Sequence, residues 1–226
     1  MKYIDLETYP RRSHYEFFKS LAYPYVGMTA NMDVTDLIAK AKAMGKSTFL
    51  ACLYVGIQAA NRVPELRQRI VGDKIVEFDF CNAAHTVALA DETFGNCLTD
   101  GQLSFEDFLE DAKARQEETK HHHGFVGTQE DETPLLFFSC VPWVAFTQVI
   151  QPAPIPADCN PRIVYGKFIK EGDRILSASE LRQLMTSSVP LREYGGRNTL
   201  KPSRCRQTYP LAATGCMVRL RVSRWS

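Results

Sequence analysis

Apolar and polar positions along this chain change their period several times, and each change predicts an element. In residues 33–46, DVTDLIAKAKAMGK, Leu37, Ile38 and Ala41 share one helical face, and Asp33 stands where its carboxylate can accept backbone N–H groups at a helix start. Residues 47–66, STFLACLYVGIQAANRVPEL, are apolar almost all round. They predict a more buried helix, with Ser47 as its cap and Pro64 marking its end. DKIVEFDF and HTVALAD read as strands joined by the CNAA region. In residues 104–120, SFEDFLEDAKARQEETK, Phe105, Phe108, Leu109 and Ala112 recur at helical spacing, and Ser104 with Asp107 resembles a capping box.

Beyond that helix, residues 134–151 (PLLFFSCVPWVAFTQVIQ) predict a long, bent strand region. Residues 162–176 (RIVYGKFIKEGDRIL) predict a hairpin turning at Glu171, Gly172 and Asp173. SASELRQLM, from residue 177, reads as a short helix, and the rest follows neither period. Helices mixed with strands outside regular βαβ alternation predict an α/β (α+β) fold with a mixed sheet.

Charge changes this picture in one place. The net charge is only +1 over 226 residues, which gives no pull toward nucleic acid or an anionic membrane. Residues 177–226, however, carry nine Lys and Arg against two acidic residues, a net +7, and contain no Asp, His, Ile or Phe. Residues 1–176 carry 18 basic and 24 acidic residues, a net −6. The chain therefore divides into a domain over 1–176 and an atypical basic tail over 177–226, a composition break of the kind that a shifted reading frame produces. No apolar run is long enough to span a bilayer, and the N-terminus lacks the apolar core of a signal peptide. The seven cysteines are scattered and never in a CxxC pair, so they are expected to be reduced thiols in the cytoplasm, with no disulfide or metal framework.

Four separated blocks resemble the chloramphenicol acetyltransferase family: RRSHYEFF (11–18), the helical run DVTDLIAKAKAMGKSTFLACLYVGIQAANRVPELRQRI (33–70), FFSCVPWVAF (137–146) and YGKFIKEGDRIL (165–176). The resemblance covers about residues 1–176 in order. It implies a mixed sheet with helices packed on one side and a homotrimer with sites between subunits. It implies transfer of an acetyl group from acetyl-CoA to a small-molecule alcohol such as chloramphenicol, with no metal. The more distant acyltransferases of 2-oxo acid dehydrogenase complexes lack the RRSHYEFF and FFSCVPW patterns.

Carried over position by position, the resemblance assigns Ser139 to hydrogen-bond the tetrahedral oxyanion and Arg11 to support the site. The ordinary alternatives are a strand serine bonded to backbone and a solvated surface arginine. Phe17, Phe18, Ala22, Pro24, Phe94, Val149, Gln151 and Val164 would line the acceptor pocket, a composition that ordinary core shares. Gln151 and Arg162 are more polar than the family's pattern at those places. His14 matches a family histidine with a structural role.

The family's general base is a histidine in an HHxxxDG motif shortly after the Gly-Asp-Arg hairpin. Here that place reads SASELRQLMTSSVPLREYGG, with no histidine and no aspartate to meet Arg11. KHHHGFVG (120–127) imitates the motif, but Gly127 stands where the aspartate belongs, and the stretch comes too early in the chain. His121, His122 and His123 are accordingly expected in a solvated loop, where histidine is favourable near a helix C-terminus. The chain thus reads as an O-acetyltransferase by descent whose catalytic histidine is missing. The alternative is a catalytically inactive binding or assembly subunit.

Overall fold

The computed structural model describes residues 1–72, 74–121, 134–152, 154–155 and 157–184. His122, His123 and tail residues 185–226 lie outside this set. In chain order the elements are β1 (Lys2–Ile4), α1 (Arg12–Lys19), β2 (Tyr25–Asp33), α2 (Thr35–Ala43), α3 (Thr48–Asn61), a 3-10 turn (Pro64–Arg67), β3 (Gln68–Val71), β4 (Lys74–Glu77), β5 (Asn82–Ala88), β6 (Phe94–Thr99), α4 (Phe105–Lys120), β7 (Leu135–Cys140), β8 (Arg162–Glu171) and β9 (Arg174–Leu184).

Local chemistry starts the helices where the sequence places them. Asp33 closes β2, and its Oδ1 accepts both the backbone N–H (3.1 Å) and the hydroxyl (2.6 Å) of Thr35, which turns the chain into α2. Ser47 Oγ accepts the Leu50 N–H at 3.3 Å at the start of α3. Ser104 Oγ accepts the Asp107 N–H and donates to Asp107 Oδ2 at 2.6 Å, completing the cap of α4.

Among the described residues, nine strands form two sheets. β1, β4 and β3 make a small antiparallel sheet. The larger sheet runs β2-β9-β8-β7-β5-β6, antiparallel except where β7 lies parallel to β5 and to β8. The helices pack on one side of this mixed sheet. α3 is the centre of the core: Leu50, Ala51, Cys52, Leu53, Tyr54, Ile57 and Ala60 are buried among Leu136, Phe138, Ile163 and Tyr165 from the strands and Phe108, Leu109 and Ala112 from α4. A helix apolar all round has to be enclosed in this way. At its end, Asn61 exchanges two hydrogen bonds with the Cys81 backbone (2.7 and 2.9 Å), tying α3 to the start of β5.

Several expectations are corrected. DKIVEFDF and HTVALAD do form strands, but CNAA is not a plain connection between them: β4 belongs to the small sheet, while β5 belongs to the large one and already begins within CNAA, at Asn82. The strand expected over 134–151 ends at Cys140, because Val141 and Lys167 then exchange ladder pairing for isolated bonds, to Tyr165 O and Val144 O respectively. The hairpin turns at Gly172 and Asp173, with Glu171 paired to Arg174 and Gly172 at φ 59°, a conformation that glycine adopts without strain.

The largest correction concerns SASELRQLM. Ser177–Leu184 is the second half of β9, not a helix. β9 is hydrogen-bonded along both edges, to β2 and β8. Backbone ladders on both edges outweigh the helix preference of Glu, Leu, Arg and Gln. The strand therefore crosses position 176, where the composition changes. It buries Ser177, Ser179, Glu180, Arg182 and Gln183, polar residues unusual for an interior strand.

Candidate active site

Alternation along the strands divides the large sheet into two faces. His85, Phe138, Ile163 and Leu181 occupy one row in register and point toward the helices. The neighbouring row runs through Ser139, Val164, Glu180 and Thr29 on the opposite face, away from the helical layer. Thr86 joins that row, its hydroxyl 3.1 Å from Ser139 Oγ. If Thr86 donates to Ser139, the Ser139 proton is left to donate elsewhere. A partly exposed serine held this way by two parallel neighbours is equipped to contact a developing oxyanion.

Val149 and Val164 approach the same row. Val164 is buried beside Glu180, and the Val149 N–H donates to Glu180 Oε2 at 2.6 Å. Thr29 Oγ1 donates to the same carboxylate oxygen at 3.2 Å. The Gln151 carbonyl accepts from Arg182 Nη1, which also donates to the hydroxyl of Tyr23 at 3.3 Å. Ala22 (exposed) and Pro24 (buried) flank Tyr23 in the chain. Phe17 is exposed and meets the half-buried Phe18 edge to face, with ring centroids 5.3 Å apart. Phe94 begins the edge strand β6, opposite Ala88 and half exposed. The structure thus sets Val149, Gln151 and Val164 against β9, with Ser139 beside Val164 on the far side of β8.

Arg11 does meet a carboxylate, although the tail has no aspartate for it. Its Nη2 lies 3.7 Å from Glu65 Oε1, in the turn that follows α3. His14 is exposed, with Nδ1 3.5 Å from Ser13 Oγ. His121 ends α4, its N–H donating to Glu118 O. None of these histidines bonds Ser139 or Thr86.

Four residues escaped the sequence reading. Thr86 was hidden because cross-strand neighbours are set by register. Glu180 and Arg182 were hidden because their segment read as a helix. His85 was read only as part of a strand. It is buried behind the site, with Nε2 2.9 Å from Gln116 Nε2 and its ring 5.5 Å from Phe49. Burial pushes its pKa down to about 4, so it is neutral near pH 7. Two thiols also lie on the helix side: burial raises Cys52 to about 12 and Cys140, next to Ser139, to about 11. Neither is a ready nucleophile.

The family profile for chloramphenicol acetyltransferase matches residues 1–182. The chain belongs to the chloramphenicol acetyltransferase family. A chloramphenicol acetyltransferase from Klebsiella sp. is 24% identical over 180 residues, covering 76% of this chain and 80% of that protein. Chloramphenicol acetyltransferase 3 of Escherichia coli is 25% identical over 175 residues, covering 76% and 82%. Among solved structures, a chloramphenicol acetyltransferase superposes with a TM-score of 0.69 at 23% identity, over 82% of this chain and 90% of that one. The dihydrolipoamide acetyltransferase of Azotobacter vinelandii superposes with 0.57 at 12% identity, over 79% of each, a likeness of fold alone. The mixed sheet with helices on one side is therefore the family's own architecture, an acetyltransferase-type fold. Among the described residues, no group of three or more His, Cys, Asp or Glu is placed to hold a metal ion, and no helix is long and apolar enough to cross a membrane.

Proposed function

We propose that this chain is a subunit of an acetyl-CoA-dependent O-acyltransferase of the chloramphenicol acetyltransferase type, one that supplies the oxyanion and acceptor side of the site but no general base. The observation that carries this is the Ser139–Thr86 hydroxyl pair on the helix-free face of the sheet. In the reaction, a base removes the acceptor hydroxyl proton as the oxygen attacks the thioester carbonyl. The tetrahedral oxyanion is held by the Ser139 hydroxyl. Its collapse breaks the C–S bond, and the CoA thiolate takes up the proton. A single oxyanion donor contributes about 3–4 kcal/mol to such a step, and a general base about 10²–10⁴-fold in rate.

The residues of the acceptor wall are those carried over from the family, with Val149 and Val164 adjoining the Ser139 row. A homotrimer in the cytoplasm, with sites between subunits, is the assembly this reading implies. The binding or assembly alternative is favoured by one fact: residues 177–226 contain no histidine.

A thiol-release assay with acetyl-CoA and chloramphenicol separates the outcomes. The purified chain alone should turn over far below the ordinary enzyme range of roughly 1–10³ s⁻¹. Co-expressed with an intact homologue whose own acceptor pocket is disabled, it should restore transfer. Ser139→Ala should then lower the restored rate about 10²–10³-fold. Ordinary turnover by the isolated chain would show that it has a base of its own. Mixed assemblies that form but stay inactive would leave the binding-subunit reading.

A further inference from the structure

Among the described residues, neighbouring strands run parallel only across β5, β7 and β8. Antiparallel neighbours such as β8 and β9 are joined by a tight turn, which fixes their register. No turn does this for the parallel strands. β6 and α4 separate β5 from β7 in the chain, and residues 141–161 separate β7 from β8. Each parallel pairing is also short, with four residue pairs between β5 and β7 and four between β7 and β8. A slip of one residue would turn a strand's side chains to the other face. Thr86 and Ser139 depend on this register most, because they stand one step beyond the last paired residues, His85 and Phe138.

One side chain meets the starts of all three strands. Arg69 of β3 is 4% exposed and uses all five of its N–H donors. The two on Nη1 close its own turn, on Leu66 O (2.9 Å) and Gln68 O (2.8 Å). The other three reach outward. Nη2 donates to Leu135 O, in the first residue of β7, at 2.9 Å and to Cys81 Sγ, just before β5, at 3.6 Å. Nε donates to Asn160 Oδ1, shortly before β8, at 2.8 Å. Ile70 strengthens this last link, its N–H donating to Cys159 Sγ at 3.1 Å. Cys81 is itself held through its backbone by Asn61 of α3, so the guanidinium refers β7 and β8 to a point that is already fixed. The rigid planar fork of arginine suits this task, and a flexible ammonium does not.

We propose that Arg69 is a positioning residue of the site. It holds β5, β7 and β8 in register at their starts, and so sets Ser139 opposite Thr86, each four residues beyond the first paired residue of its strand. Arg69 touches no reacting atom and acts through the strands. That the held serine serves an oxyanion rests on the acyltransferase reading; the register role rests on the Arg69 geometry alone.

Disulfide trapping reads the register directly. Thr86→Cys and Ser139→Cys are introduced together into the full chain, and oxidised glutathione takes up the two thiol hydrogens as the link forms. Peptide mapping by mass spectrometry identifies the linked positions. The native Cys140 follows position 139, so a one-residue slip toward it appears as a link from position 86 to Cys140. With Arg69 intact, the link between positions 86 and 139 should predominate. Arg69→Met and Arg69→Lys should each lower its yield about threefold or more, in chains that a thermal melt shows to be folded. Lysine keeps the charge but not the fork, so rescue by Arg69→Lys would overturn the proposal, as would an unchanged link in Arg69→Met. Loss of folding in both variants would also overturn it, by making Arg69 a residue of stability rather than of position. In mixed assemblies that transfer acetyl groups, Arg69→Lys should lower kcat about tenfold with KM unchanged, and should have no effect in the Ser139→Ala background. Equal losses in both backgrounds would overturn the role in the reaction. An Arg69-dependent link in assemblies that never transfer acetyl groups would leave the positioning role standing and overturn the acyltransferase reading. Acetyl transfer with a link indifferent to Arg69 would do the reverse.

Discussion

At position 85 a histidine sits where most folds place an aliphatic side chain. His85 is 1% exposed, one ring nitrogen meets Gln116, and Nδ1 has no partner. Its pKa falls from the ordinary 6.5 to about 4 because burial penalises the charged ring. The unfolded chain binds this proton below pH 6.5 and the folded chain does not, so His85 leaves stability undiminished above 6.5 and erodes it as pH falls toward 4. The window corresponds to about 3 kcal/mol at its acid end. Urea unfolding between about pH 7 and 4.5 should show this slope, and His85→Gln should flatten it. An unchanged slope in the variant would place the acid sensitivity in the carboxylates.

Among the elements, α3 and β9 illustrate opposite ways of sitting in a core. α3 reaches the sheet through Gly56: a Cβ there would collide with Tyr165 Oη and come within 2.8 Å of Phe138 Cε1. Tyr165 cannot yield readily, since its hydroxyl donates to Cys52 O at 3.3 Å. Gly56→Ala should therefore destabilise by about 1–3 kcal/mol despite alanine's better helix propensity, readable as a lower denaturation midpoint. An equal or higher midpoint would mean that the helix can lift off the sheet freely. β9 is held differently. It is paired on both edges, with a register shift against β8 between Tyr165 and Phe168, but it buries five polar side chains, each of which has to find a partner outside the ladder. Ser177 Oγ reaches Gly166 O at 3.2 Å, and Gln183 Nε2 reaches Glu65 O at 2.8 Å. Backbone pairing sets this strand, and side-chain chemistry accommodates to it.

For the whole molecule, the match to the family ends at residue 182, while the chain continues to 226 with a net +7 from residue 177 onward. We expect that an ancestral coding frame underlies this segment. Translating the coding DNA in its other two frames from about codon 170 should reveal a His-His-x-x-x-Asp-Gly sequence followed by an amphipathic helical pattern. Two frames without it would make the tail a genuine replacement. Restoring the ancestral frame should in turn give a chain that no longer depends on a partner for acetyl transfer.

The amino-acid sequence by itself determined α2, α3 and α4, the Gly172 turn and the family. Caps such as Ser47 and Ser104 and the all-round apolarity of α3 act over a few neighbours, so their effect can be read locally. It also marked Ser139, and it showed the absence of a histidine after the hairpin. Only the tertiary structure decided which strands pair, because β4 and β5 are equally good strands and their separation into two sheets depends on partners far away in the chain. Only it turned residues 177–184 into a strand, since the two ladders that hold them come from residues 25–33 and 162–171. The same cross-strand register put Thr86 against Ser139 and Arg162 against Arg182. Pairings of that kind leave no trace in local periodicity, because the partners are chosen by sheet order rather than by sequence spacing.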